Sequence, residues 1–415
     1  MLILSLFTSI FVTLLLVNRK VNIGFSLIAG SFLLVLLNGR GLSTFLQIFI
    51  QTLFESTTIS LASVIALICV LAHLMEKYLI LDRMIIALER MLRSAKATIL
   101  VAPALMGTLL VSGGALMSCP IVGSLGDRLH ISDNRKVAIN LVFRHALLFV
   151  FPLAPTLLLA AEIGDFKVID FIKLQFPIAL ALYIFGYMFY LRNYKESKAE
   201  KINIQQYIKA VREFLLYSSP ILVSLLGVAL LKLSFQASLL VGIVISIVIN
   251  QYDKKRDGKY NINQHPLITM YKGIKLPMLI AIIGIMLYKN AVNEIDEIII
   301  FLNSLLEKGM PIELLIILSS AVICFPLAST NPGIAILFPL LLPLAPNYET
   351  KLLYAMFIYT SSFMFYYISP LHLCQVLTLE YFQVKLKDLY KNYLYLLPLT
   401  YIVMLSIYVV GFVFS

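Results

Sequence analysis

Apolar runs of bilayer-spanning length dominate this chain and limit what it can become. Ten of them lie at about 1–17, 22–38, 57–75, 134–161, 171–190, 214–231, 235–250, 273–290, 350–378 and 390–414. A transmembrane helix needs about 20 apolar residues, whereas a membrane barrel shows short alternating segments. The runs therefore predict helices. Charged residues make up 13% of the 415, against roughly 25% in soluble domains, and apolar residues make up 60%. So few charges cannot cover a water-soluble globule, and so apolar a chain is not disordered. The expected fold class is all-α, a polytopic membrane protein with about ten transmembrane helices.

Two further apolar stretches, about 98–122 and 312–344, do not read as simple spans. Their centres, SGGALMSCP at 112–120 and PLASTNPG at 326–333, hold proline, glycine and small polar residues. Backbone freed in mid-membrane survives only inside protein or along a wet cavity. Both stretches are expected to be re-entrant hairpins. Amphipathic segments at 75–96 and 293–309 precede them and are expected at the membrane interface.

Lysine and arginine set the orientation. With the N-terminus outside, the loops at 18–20, 76–96, 123–136, 191–213, 251–275 and 379–391 are cytoplasmic and hold 25 of the 33 basic residues. Seven lie on the outer side, and Arg144 lies within a span. The bias follows the positive-inside rule and accounts for the net charge of +11 without nucleic acid. The first run has no basic leader and no small-residue cleavage site, so it is expected to stay as a span. Both termini are predicted outside.

The chain also repeats at an offset of 218 residues. Glu76, Glu89, Glu162, Asp170 and Lys173 match Glu294, Glu307, Glu380, Asp388 and Lys391, and Pro152-Leu153 matches Pro370-Leu371. Each half carries five spans, so the second is inverted relative to the first. The expected organisation is a first inverted repeat at 1–190, a basic cytoplasmic linker at 191–213 and a second repeat at 214–415. Inverted repeats with helices broken at midplane are the architecture of many secondary transporters.

Arg144 carries the strongest chemical signal. A guanidinium inside a span needs a partner or a wet cavity, and no Asp or Glu falls inside a predicted span. An anionic substrate suits its fork. A side chain snorkelling to the inner interface, or bonding hairpin carbonyls, is the plain structural alternative. The tips supply Ser112, Gly113, Gly114 and Ser118 in one hairpin and Ser329, Thr330 and Asn331 in the other. Their hydroxyls, amide and freed carbonyls suit Na⁺, and exposed helix N-termini suit an anion; small-residue packing is the competing explanation. Ser361 and Ser362 face the same expected cavity. Pro152, with Pro155, breaks the fourth span, and Ser369-Pro370 breaks the ninth just before His372. His145 and His372 are the intramembrane groups suited to carrying a proton, with a role in coupling or gating; a hydrogen-bonded structural histidine is the competing explanation.

Four cysteines, Cys69, Cys119, Cys324 and Cys374, lie in apolar stretches and read as core residues rather than as a disulfide framework or metal site. No phosphate-binding loop is present, so ATP is not the expected energy source. Soluble-hydrolase motifs are also missing. Ser369 with His372 is the nearest nucleophile–base pair.

The runs GGALMSCP (113–120), FRHALLFVFPLAP (143–155) and SPLHLCQVLTLEYF (369–382) resemble an uncharacterised family of prokaryotic integral membrane proteins. That family is grouped with the ion-transporter superfamily, beside gluconate, citrate, C4-dicarboxylate and arsenite permeases. The resemblance runs from about residue 60 to the end, with Ser112 where the family has proline. It implies an elevator-type carrier in which a dimerising scaffold supports a moving domain of hairpins and broken helices, here 97–162 and 311–380. The expected function is secondary transport of a small organic anion, coupled to Na⁺ or H⁺, by a homodimer with no cofactor beyond a bound Na⁺. An inorganic-anion or metalloid permease on the same scaffold is the first alternative. An intramembrane enzyme or a channel-like pore is the second.

Overall fold

The computed structural model describes residues 2–108, 114–196, 203–257 and 265–414. Its first half holds α1 (Leu2–Asn18), α2 (Ile23–Leu37), α3 (Gly41–Phe54), α4 (Ser56–Lys77), α5 (Ile80–Leu92), α6 (Ala95–Gly107), α7 (Gly114–Arg128), α8 (Asp133–Ala146), α9 (Pro155–Gly164) and α10 (Val168–Tyr190). The second half holds α11 (Ile204–Ala229), α12 (Phe235–Asp257), α13 (Pro266–Gly273), α14 (Leu276–Asn293), α15 (Asp296–Glu307), α16 (Ile312–Leu327), α17 (Asn331–Leu341), α18 (Tyr348–Ile368), α19 (Leu373–Phe382) and α20 (Leu386–Phe414). Among the described residues, seven spans are long and apolar enough to cross a membrane, one of them the broken run Tyr348–Phe382. The protein is an all-helical, polytopic membrane protein. α1 and α2, at 17 and 15 residues, are shorter than the usual crossing.

The 218-residue offset extends from single residues to whole elements. Moved by 218, α9 falls on α19, α6 on α16, α4 on α14 and α10 on the first 23 residues of α20. α3 was not anticipated and matches α13 at the same offset. Residues 39–56 read as an outer loop because only one face of α3, with Phe45, Ile48 and Thr52, is buried.

Proline and the local cap explain each break. α8 ends at Ala146 in a short 3-10 turn, Leu147–Phe149, and α9 restarts with Pro155 in its first turn, where a missing N–H costs nothing. α18 stops at Ile368 and α19 restarts at Leu373. The freed carbonyls are met by protein. Tyr359 Oη donates to Leu148 O (2.9 Å), Tyr390 Oη to Ile368 O (2.6 Å) and Gln375 Nε2 to Ser369 O (3.1 Å). Unwound backbone can persist away from water on those terms.

Packing divides the helices into two groups. α6 and α7 pair as one hairpin and α16 and α17 as the other, each packed on a broken helix. α10 and α20 pack on each other and on α8 and α18, so they belong with the broken helices. Around them α2 packs on α1 and α14, and α4 on α12 and α14. At the α2–α14 crossing the backbones touch. A Cβ on Gly24 would lie 2.1 Å from Ile280 O, and one on Gly284 would lie 2.3 Å from Gly24 O. Small residues at such crossings supply the close packing that membrane helices need.

The amphipathic α5 turns Ile80, Leu81, Met84, Ile85 and Leu88 inward and packs on α11. There Arg83 Nη1 lies 2.7 Å from Asp253 Oδ2, and Tyr217 Oη donates to Asp253 Oδ1 at 3.1 Å. A buried ion pair of this kind ties α5 to α11 and α12.

Candidate functional site: a cationic cavity between the broken helices

A cavity of about 430 Å³ opens where the two breaks and the second hairpin meet. Arg144 and His145 enter it from the last turn of α8, and Tyr359, Phe363 and Tyr366 from α18. Four helices begin at its wall. Ala154, Pro155 and Thr156 open α9; Lys275 caps α14; Thr330 and Asn331 open α17; His372, Leu373 and Cys374 open α19. Helix N-termini present unpaired N–H groups and the positive end of the peptide dipole. Among the described residues, no carboxylate lines the cavity.

Arg144 is 6% exposed, and its guanidinium lies against the Cys374 thiol. It is placed by close packing. A Cβ on Gly107, at the end of α6, would lie 1.9 Å from Arg144 O. The second hairpin is tied in by Thr156 Oγ1, which donates to Asn331 Oδ1 at 2.9 Å. The two histidines are 3% and 1% exposed, with ring centroids 5.0 Å apart. His145 Nδ1 lies 2.7 Å from Leu141 O, and Tyr366 Oη lies 3.3 Å from His145 Nε2 and 2.7 Å from His372 Nε2. Among the described residues, His145, His372 and Cys374 are a cluster of ligand-type side chains, their ligand atoms within 4.8 Å of one another. The Arg144 guanidinium against Cys374 opposes a divalent cation there.

The lining follows the 218-residue repeat. His145 pairs with Phe363, Leu148 with Tyr366, Ala154 with His372, Pro155 with Leu373, and Thr156 with Cys374, all ten on the wall. Arg144 itself pairs with Ser362.

The structure brings together Arg144, His145, His372, Ser329, Thr330 and Asn331. Others lie elsewhere. Ser361 Oγ sits 2.8 Å from Tyr401 Oη and faces α20. Ser362 is buried behind the wall, with Oγ 2.6 Å from where a Gly333 Cβ would stand. Ser118 bonds back to Ala115 O within α7. Pro152, Ser369 and Pro370 shape the breaks without lining the cavity, and Pro370 is exposed. Gly114 begins α7, while Ser112 and Gly113 lie outside the described residues. Sequence reasoning missed Lys275, Tyr366, Thr156 and Cys374. Applied to the two histidines, the repeat offset points to Phe363 and Ala154, both on the wall.

Residues 1–411 match the family described as DUF401, protein of unknown function. The chain belongs to this family. No curated protein matches this DUF401 member. Its fold is similar to the crystal structure of the Alcanivorax borkumensis YdaH transporter, described as having an unusual topology. The TM-score is 0.60 at 13% identity, over 90% of this chain and 88% of that one. At that identity the likeness concerns the fold.

Proposed function

We propose that the protein is a secondary transporter of a small organic anion. One observation carries this reading: a cavity with Arg144 and Lys275 on its wall, four helix N-termini at it and, among the described residues, no carboxylate lining it. Each of these favours negative charge, and the burial of Arg144, 6% exposed, strengthens its part. The guanidinium fork suits a carboxylate, and Thr156, Ser329, Thr330 and Asn331 add hydroxyl and amide groups for orientation.

The placement of the wall supports a carrier. Five residue pairs related by the repeat line one cavity, as expected when a site lies between two inverted repeats. The hairpins are then re-entrant, and the elements α6–α10 and α16–α20 form the moving body of an elevator against the remaining helices. A homodimer in the prokaryotic cell membrane, with both termini outside, completes the reading. It keeps the relation to gluconate, citrate and C4-dicarboxylate permeases that the motifs imply. The fold shared with a transporter is consistent with it.

The test is thermal stabilisation of purified protein by citrate, succinate or gluconate, each with Na⁺ and with K⁺. A ligand at 100 times its Kd adds about 2.7 kcal/mol. The expected result is a shift from one of these acids that Arg144→Ala abolishes. A shift from sulfate or arsenite alone would move the assignment to an inorganic-anion permease, and a shift that survives Arg144→Ala would refute the role given to the guanidinium.

A further inference from the structure

Tyr366 engages both cavity histidines at once. Its hydroxyl lies 2.7 Å from His372 Nε2 and 3.3 Å from His145 Nε2. The far side of His145 is committed, because the Leu141 carbonyl at 2.7 Å only accepts. A neutral His145 therefore keeps its proton on Nδ1 and offers a bare Nε2. His372 also meets the Tyr367 backbone carbonyl, and its buried Nδ1 makes no well-formed hydrogen bond.

The neutral triad holds one proton on each ring and one on the tyrosine. With the His372 proton on Nδ1, two bare Nε2 atoms compete for one hydroxyl hydrogen. With it on Nε2, both contacts to Tyr366 are bonded, and Nδ1 is left as a buried, bare acceptor. Either tautomer leaves one acceptor unfilled, so the triad has room for one more proton. An added proton brings a positive charge beside Arg144 and Lys275 and is opposed by both. An anion on Arg144 reverses that balance.

We propose that His145, Tyr366 and His372 form a proton relay that takes up one proton together with the substrate anion, making this a proton-coupled carrier. The inference rests on the anion reading above. The proton adds to His372 Nδ1. His372 then passes its Nε2 proton to Tyr366 as Tyr366 passes its own to His145 Nε2. Three protons become four, and the gained charge ends on His145. The charged and titratable groups around the relay are Arg144 on α8, Tyr367 on α18, Cys374 on α19, Cys119 on α7, Tyr393 on α20 and Lys275 before α14. Among the described residues that line the cavity, none is a carboxylate. Coupling is reciprocal: the anion favours the proton as much as the proton favours the anion.

The test follows protons directly. Purified protein in weakly buffered detergent with a pH indicator receives citrate, succinate or gluconate. The expected result is about one proton taken up per anion bound, and a Kd that weakens up to about tenfold per pH unit at alkaline pH. Tyr366→Phe removes only the hydroxyl. It is expected to lose proton uptake and to bind the anion with a flattened pH profile, at a Kd weaker than the wild type's at acidic pH and matching it at alkaline pH, and His372→Gln should do the same. Binding with a pH-independent Kd and no proton uptake overturns the relay and leaves the anion reading standing. If none of the three acids binds, the anion reading fails, and ¹⁵N spectra of histidine-labelled protein then decide the relay. Two imidazoles that titrate together in the wild type and separately in Tyr366→Phe support it; separate titration in the wild type overturns it.

Discussion

Replacing Gly107 with alanine tests how Arg144 is placed. The new Cβ would stand 1.9 Å from Arg144 O, 2.8 Å from its carbonyl carbon and 2.9 Å from its Cγ. Ordinary contact begins near 3.4 Å, so α6 and α8 have to part by about 1.5 Å. The obstacle is backbone and cannot rotate aside. Overpacking of this kind costs roughly 1–3 kcal/mol, and alanine regains at most about 1 kcal/mol of helix propensity. A net loss of about 1–2 kcal/mol is expected. The functional effect should be larger, because binding groups tolerate only about 0.5 Å of displacement. The assay is the thermal midpoint with and without the stabilising acid. Gly107→Ala should melt earlier and lose the acid's stabilisation of about 2.7 kcal/mol at 100 times Kd. Gly123→Ala is the control, since its Cβ would meet only Phe382 at 3.6 Å. A Gly107→Ala protein matching the wild type in both midpoint and acid response would refute the argument.

Two further substitutions act away from the cavity. Gly284→Ala puts a Cβ 2.3 Å from Gly24 O, so thermal midpoint should fall by the equivalent of roughly 1–3 kcal/mol while the response to the acid is kept. Arg83→Ala removes the cation held 2.7 Å from Asp253, whose side chain is 5% exposed, and should cost up to about 3–5 kcal/mol. The double change Arg83→Met with Asp253→Leu should recover most of it, as read by the midpoint of each variant.

The breaks were legible because proline announces them: Pro152, Pro155 and Pro370 mark where α8 and α18 stop. Arg144 was legible because charge is rare in an apolar run. Lys275 was hidden for the converse reason. One basic residue among six in a basic loop gives no sign that it caps a helix at a cavity wall. Tyr366 was hidden among aromatic neighbours, since FMFYY at 363–367 reads as core and only packing shows which hydroxyl reaches a histidine. Cys374 read as a small hydrophobe, although its thiol lies against the guanidinium. Ser361 and Ser362 show the opposite error. Polarity placed them at the cavity, and helix rotation turned Ser361 toward Tyr401 and Ser362 toward Gly333.

The order of packing has a consequence for biogenesis. α2 rests on α14, α4 on α12, α9 on α17 and α7 on α19, so each half covers the other's faces. While the ribosome is still making the second half, α2 has α1 and α7 has α6 and α8, but the faces of α2, α4, α7 and α9 that meet the second half stay open. The first half must then wait in the membrane partly packed and complete its contacts as α12, α14, α17 and α19 arrive. Two separately expressed halves should each be prone to degradation, and should be rescued when made together in the same cell.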